Sequence, residues 1–186
     1  MNRDTKVSEN TVNSSPLYGI HVSLPSDNVF VESNKITGSG GSGIKVARVD
    51  LEDLEDQTIP SVNTQERPDY RATGIKLIGN AIALSSTIGI EIEMTHGALI
   101  AENTVSRTLY SAIFLQHSDQ AIVHDNRLED FGLIAPKHEH NGGIYAAAAI
   151  THASIHDNIV IEPLNHGSQY GSKSPTSPRT PATRSV

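Results

Sequence analysis

The chain is 186 residues long, one domain's worth, with 37% hydrophobic residues, 4% aromatic residues and a formal net charge of -7. A chain this acidic has no basic face for a phosphate backbone, so nucleic acid is excluded as an expected partner. Cys is absent, which excludes a disulfide framework and Cys-based metal sites. No apolar run approaches the ~20 residues of a membrane helix, so membrane insertion is not expected either.

The start, Met1-Asn2-Arg3-Asp4-Thr5-Lys6, is polar and holds no signal-peptide core. Residues 1–6 are expected as a polar extension, with ordered structure beginning near Val7. From there a short phrase recurs: a small or acidic residue, Asn, any residue, an aliphatic residue. It reads Glu9-Asn10-Thr11-Val12, Ser33-Asn34-Lys35-Ile36, Gly79-Asn80-Ala81-Ile82, Glu102-Asn103-Thr104-Val105, Asp125-Asn126-Arg127-Leu128 and Asp157-Asn158-Ile159-Val160. The Asn positions lie 24, 46, 23, 23 and 32 residues apart. A second phrase precedes most of them: Gly19-Ile20-His21-Val22, Gly43-Ile44-Lys45-Val46, Gly89-Ile90-Glu91-Ile92, Ala112-Ile113-Phe114-Leu115 and Gly143-Ile144-Tyr145-Ala146. The unit is about 23 residues long, and one copy is enlarged by about 22.

Within each unit apolar and polar residues alternate with period 2, and Ile outnumbers Leu, which is the pattern of strands. The Gly-Ile phrases and the segments before most of the Asn residues, at 29–32, 75–78, 98–101, 121–124 and 153–156, read as strands in this way. So short a unit cannot bury its apolar face alone, whereas stacked units bury a continuous core.

This pattern resembles the right-handed parallel β-helix repeat of the pectate-lyase-like superfamily, over about residues 7–163. The resemblance implies an all-β fold: a right-handed parallel β-helix, a single-stranded solenoid of about five to six coils with three strands per coil. It also implies that the Gly-Ile phrase is the first strand of each coil, that the strand before each Asn is the second, and that Asn10, Asn34, Asn80, Asn103, Asn126 and Asn158 form a structural ladder in the turn between second and third strands. Loop insertions are expected at about residues 50–72 and 131–142, both flanking the first-strand sheet, where the family's substrate groove runs. Residues 164–186 are polar and Ser/Pro-rich and are expected to be a disordered tail. Family members usually have more coils and a cap, so the chain is expected to be part of a longer β-helix or a degraded paralogue. The other expectation is self-association, or a partner chain, at its open ends.

Alternation assigns the first-strand sheet's faces. Ile20, Ile44, Ile90, Ile113 and Ile144 should point inward, with Val22, Val46, Ile92, Leu115 and Ala146. His21, Lys45, Glu91, Phe114 and Tyr145 should form one outward column, and Ser23, Ala47, Glu93, Gln116 and Ala147 the next. Glu91 and Glu93 would lie about 6–7 Å apart on that face. That spacing suits paired carboxylates for acid/base work or a Ca²⁺ site of hard oxygen ligands. Glu93 is the acid/base candidate, Glu91 a base or metal ligand, and Lys45 an alternative base for removing a proton α to a uronate carboxyl. Phe114 and Tyr145 offer flat surface to a sugar ring, while Gln116, His117 and His21 offer polar contacts. The same residues also make sense structurally, as a cross-strand ion pair and a stacking ladder. His138 and His140 form a compact loop pair, which is more readily a solvated loop than a metal site. His124 and His156 should stack on adjacent coils.

Two functions follow. The first is a carbohydrate-facing β-helix acting on an extracellular polysaccharide as a lyase, hydrolase or epimerase. The second is a non-catalytic structural or binding module of the periplasmic accessory, adhesin or tailspike kind. No cofactor is certain, and Ca²⁺ is the candidate. The resemblance implies an extracellular or periplasmic location. No complete catalytic phrase of the family's enzymes is present; Thr95-His96-Gly97-Ala98 is a fragment of one. Fold alone does not choose between the functions.

Overall fold

A computed structural model describes residues 2–48, 71–133, 142–147 and 149–161. Every pairing between its strands is parallel, and the strands fall into three sheets. The first sheet holds Ile20–Ser23, Ile44–Ala47, Ile90–Glu93, Ile113–Gln116 and Ile144–Ala146. The second holds Asn2–Ser8, Ser26–Glu32, Lys76–Ile78, Leu99–Ala101, Ile122–His124 and Ser154–His156, with the short strands Ala72–Thr73 and Thr95–His96 at its margin. The third holds Thr11–Asn13, Lys35–Ser39, Ala81–Ser85, Thr104–Thr108, Arg127–Glu129 and Ile159–Ile161. The chain visits the sheets in rotation, so each circuit is one coil of a right-handed parallel β-helix.

The registers are those that period-2 alternation requires. One inward column runs Val7, Val31, Leu77, Ile100, Val123, Ile155, and another runs Val12, Ile36, Ile82, Val105, Leu128, Val160. Between the terminal coils these side chains are almost wholly buried. Each removes an aliphatic surface from water, worth about 1.5–3 kcal/mol. The glycine before four of the five described first strands lets coils meet closely. A Cβ on Gly43 would lie 2.3 Å from Ile82 Cγ2 and 2.8 Å from the Gly89 carbonyl. Ala112 holds the corresponding place two coils on from Gly43, fully buried.

All six predicted ladder residues are in place. The Nδ2 of each Asn donates to Oδ1 of the next, at 2.9 Å from Asn10 to Asn34 and 3.0 Å from Asn103 to Asn126. That same Oδ1 accepts the preceding Asn's backbone N–H. The residue before each Asn turns the chain in the left-handed region, from Ser33 at φ 54° to Gly79 at φ 63°. The Asn ladder therefore satisfies turn backbone that a tight corner would otherwise leave unpaired.

Several expectations shift. The stretch ahead of Val7 is already strand from Asn2, and its polar residues belong to the second sheet. A parallel pairing needs backbone groups rather than apolar side chains, and Lys6 Nζ adds an ion pair with Glu32 at 2.8 Å. Ala146, expected inward, is exposed because its strand is the last of the first sheet. The expected insertions lie outside the described residues except at their margins, where Ala72 and Phe131 are fully buried. His138, His140 and the expected tail at 164–186 also lie outside them.

Candidate functional site

The outward column of the first sheet forms as expected. His21 pairs with Lys45, Lys45 with Glu91, Glu91 with Phe114 and Phe114 with Tyr145. Its environment is not the open sheet face that alternation suggests. Lys45 is only 7% exposed and Phe114 only 5%. Lys45 Nζ lies 3.4 Å from Glu91 Oε1 and 5.0 Å from the centre of the Tyr18 ring. Glu91 Oε2 accepts a 2.5 Å hydrogen bond from Ser42 Oγ, which also lies 3.0 Å from Thr87 Oγ1. Both carboxylate oxygens of Glu91 are thus engaged.

These groups line one side of a cleft of about 320 Å³ whose other walls are Leu17, Tyr18, Ile88 and Tyr110. That volume is at the small end of ligand pockets, about 300–1,000 Å³. The walls come from the turns that lead from the third sheet into the first. Ser15 Oγ donates to the Tyr18 carbonyl at 2.6 Å, and Thr108 Oγ1 to the Tyr110 carbonyl at 2.8 Å. Backbone bonds join the same turns across coils, Gly41 N to the Leu17 carbonyl at 2.6 Å and Tyr110 N to the Thr87 carbonyl at 2.9 Å. Two tyrosine walls, hydroxyl groups and a charge pair make a surface suited to a polyhydroxylated ring, which needs flat apolar contact and directional hydrogen bonds together.

The structure brings some of the expected residues here and leaves others apart. Lys45 and Glu91 line the cleft, whereas Glu93 does not. Glu93 sits one outward position further along, opposite Gln116. The expected Glu91–Glu93 carboxylate pair therefore does not share one cavity. Phe114 stacks on Tyr145 with ring centres 5.7 Å apart and planes 16° apart. With its ring so covered, Phe114 is packing rather than an open sugar platform; Tyr145 is half-buried. His21 is exposed beside Tyr18, its ring centre 5.1 Å away, with Nε2 3.3 Å from the Ala47 carbonyl. His117 lies in the turn after its strand at φ 47°. Among the described residues no group of three His, Cys, Asp or Glu side chains could hold a metal ion, so the candidate Ca²⁺ has no such ligand group there.

Sequence reasoning missed Tyr18, Ser42, Thr87 and Tyr110. A signal for them existed: Tyr18 and Ser42 immediately precede Gly19 and Gly43, and Thr87 and Tyr110 lie two residues before Gly89 and Ala112. They form repeat columns of their own, outside the strands on which period-2 reasoning works.

Two further polar clusters lie on the second sheet. His124 and His156 stack as expected, ring centres 5.3 Å apart and planes 2° apart. Each Nδ1 lies against the carboxylate of the next residue, Asp125 at 2.7 Å and Asp157 at 2.8 Å. At the sheet's margin Asp119 accepts from Thr151 Oγ1 at 2.5 Å, with His96 and His152 each 3.3 Å away. The Thr151 hydrogen bond, aided by the two histidines, holds the Asp119 carboxyl below its ordinary value.

A family model described as a right handed beta helix region matches residues 1–178. No curated protein and no solved structure matches the chain significantly.

Proposed function

We propose that this chain, which belongs to the right-handed β-helix family, is a carbohydrate-facing module that holds one sugar unit of an extracellular or periplasmic glycan in the Lys45–Glu91 cleft. The observation that carries this reading is the buried charge pair lining a cleft walled by Tyr18 and Tyr110. Tyrosine rings supply flat contact to sugar C–H faces, while Ser42, Thr87, Lys45 and Glu91 supply donors and acceptors for hydroxyls. Binding is favoured over catalysis because Glu91 spends both oxygens on Lys45 and Ser42. A catalytic carboxylate needs an oxygen aimed at the substrate proton or the attacking water.

The enzymatic reading, a lyase, hydrolase or uronate epimerase, rests on Lys45 and Glu91 sharing that cleft, with Glu93 held in reserve outside it. One experiment separates the two. Oligosaccharides of pectin, alginate, chondroitin and neutral glucans, with Ca²⁺ present, are titrated into the labelled chain, and Tyr18, Lys45 and Tyr110 resonances are followed. Polymer length is read in parallel by gel filtration. The binding reading expects saturable shifts at the cleft from at least one glycan, weakened about tenfold or more in Tyr18→Ala, with polymer length unchanged. Shortening that is lost in Glu91→Gln would favour the enzyme. A folded chain whose cleft responds to no glycan would refute both.

A further inference from the structure

A histidine followed by an aspartate recurs at one phase of the repeat, as His124-Asp125-Asn126 on one coil and His156-Asp157-Asn158 on the next. His124 and His156 are direct partners across the two strands. The two units are near copies of each other. Both aspartates turn at φ 54°, and each sets its carboxylate against Nδ1 of the histidine before it, at 2.7 Å and 2.8 Å. The rings stack with planes 2° apart and centres 5.3 Å apart.

This arrangement decides where the ring protons sit. An ionised carboxylate only accepts, so Nδ1 carries the hydrogen and donates it. The lone pair of each neutral imidazole is then on Nε2. The rings are parallel and their Nδ1 atoms are held alike, so both Nε2 atoms face the same way, about one ring spacing apart. Neither Nε2 has a hydrogen-bond partner among the described residues. The two side chains are 25% and 49% exposed, which leaves these ring edges open to solvent. A carboxylate behind a histidine is the device that orients imidazole ligands of a metal and raises their basicity, and here it occurs twice, side by side. Glu102 holds the place of Asp125 one coil earlier, so three carboxylates line this corner of the stack and favour a cation.

We infer that His124 and His156 form a two-histidine site for a divalent transition-metal ion such as zinc, which binds through both Nε2 atoms and bridges adjacent coils. Zn–N bonds of about 2.0–2.1 Å in a tetrahedral arrangement put two ligand nitrogens about 3.4 Å apart. From the 5.3 Å spacing of the rings, each Nε2 moves about 1 Å toward the other. The ring torsion of histidine is broad and His156 is exposed, so a tilt supplies that movement. Imidazole nitrogens select zinc, copper or nickel over calcium. With two protein ligands the ion keeps water at its remaining positions, which makes it exchangeable. His96 and His152 are not a second such pair: Asp119 lies between them, one coil from each, so they stand about 9–10 Å apart along the stack.

The test titrates zinc chloride alone into the full chain, labelled with ¹⁵N at histidine. The Nε2 resonances of His124 and His156 should shift along one saturation curve, half-complete below about 100 μM zinc, while both Nδ1 atoms stay protonated. His124→Gln and His156→Gln should each weaken binding by about tenfold or more. Asp125→Asn keeps an acceptor at the same turn but removes its charge, and should weaken it by about tenfold. His138→Gln with His140→Gln should leave it unchanged. Circular dichroism matching wild type establishes that each variant is folded. No saturable shift up to about 1 mM zinc would overturn the inference. So would separate midpoints for the two rings, coordination through Nδ1, wild-type affinity in His124→Gln or Asp125→Asn, or loss of binding in the His138/His140 variant.

Discussion

Removing one rung from the middle of the Asn ladder should cost several times what removing its end costs. Asn103 Nδ2 donates to Asn126 Oδ1 at 3.0 Å and to the Leu77 and Ala101 carbonyls at 2.9 Å. Its Oδ1 accepts from the backbone N–H and Nδ2 of Asn80, both at 2.9 Å. The side chain is 1% exposed, so Asn103→Ala leaves partners on three coils without replacement. At about 1 kcal/mol net per bond, the loss is on the order of 4–5 kcal/mol. Asn10 is exposed, and among the described residues its side chain makes only two bonds, to the Ser8 carbonyl and to Asn34 Oδ1. Water replaces much of what Asn10→Ala removes, so its cost is about 1 kcal/mol. Urea unfolding followed by β-sheet circular dichroism, with unchanged m-values, gives both numbers. Equal costs at the two positions, or less than about 2 kcal/mol at Asn103, would refute the argument that the ladder stabilises by satisfying buried turn backbone.

Phe131 is fully buried, and a Cβ at Gly143 would come within 3.4 Å of its Cζ. Phe131→Ala should therefore cost about 3–5 kcal/mol and lower the melting temperature by at least about 6 °C; a smaller drop would show that the site collapses onto the gap. Lys45→Met should destabilise by about 2–4 kcal/mol by leaving Glu91 with Ser42 alone. A double-mutant cycle with Glu91→Gln should show coupling of about 1–3 kcal/mol, and a value near zero would remove the pair as the cleft's organiser. The Asp119 carboxyl is held below its ordinary value of 3.8 chiefly by Thr151. Because its folded value is depressed, the stability it contributes is present above the unfolded value and is lost as pH falls through the folded one. Thr151→Val should return Asp119 toward 3.8 in an NMR titration and reduce that acid-side loss; an unchanged titration would assign the shift elsewhere.

The repeat was legible because it is a constraint on every coil at once. Asn at one phase, a glycine-led apolar phrase at another and period-2 alternation between them specify which residues stack, whatever the loops do. That is why the column from His21 to Tyr145 and the His124–His156 stack follow from sequence spacing, and why the same spacing carries the family resemblance that implies the six-member ladder. The pairing of Asn2–Ser8 was not legible, because backbone hydrogen bonding along an edge strand leaves little trace in side-chain pattern.

The site was legible in position and not in surroundings. Alternation sends Lys45 and Glu91 outward, and that is their direction, yet both are nearly covered. The cover comes from Leu17, Tyr18 and Tyr110, turn residues that no strand period describes. Sequence by itself determined the solenoid, its inward columns and the order of residues along each face, because stacking repeats the same local rule coil after coil. Only the tertiary structure decided that Glu91 is bound by Lys45 and Ser42, that Glu93 stands outside the cleft and that Phe114 is packed beneath Tyr145. Those outcomes depend on how turns from different coils fold over the sheet, and distances between side chains 45–49 positions apart have no period from which to be read.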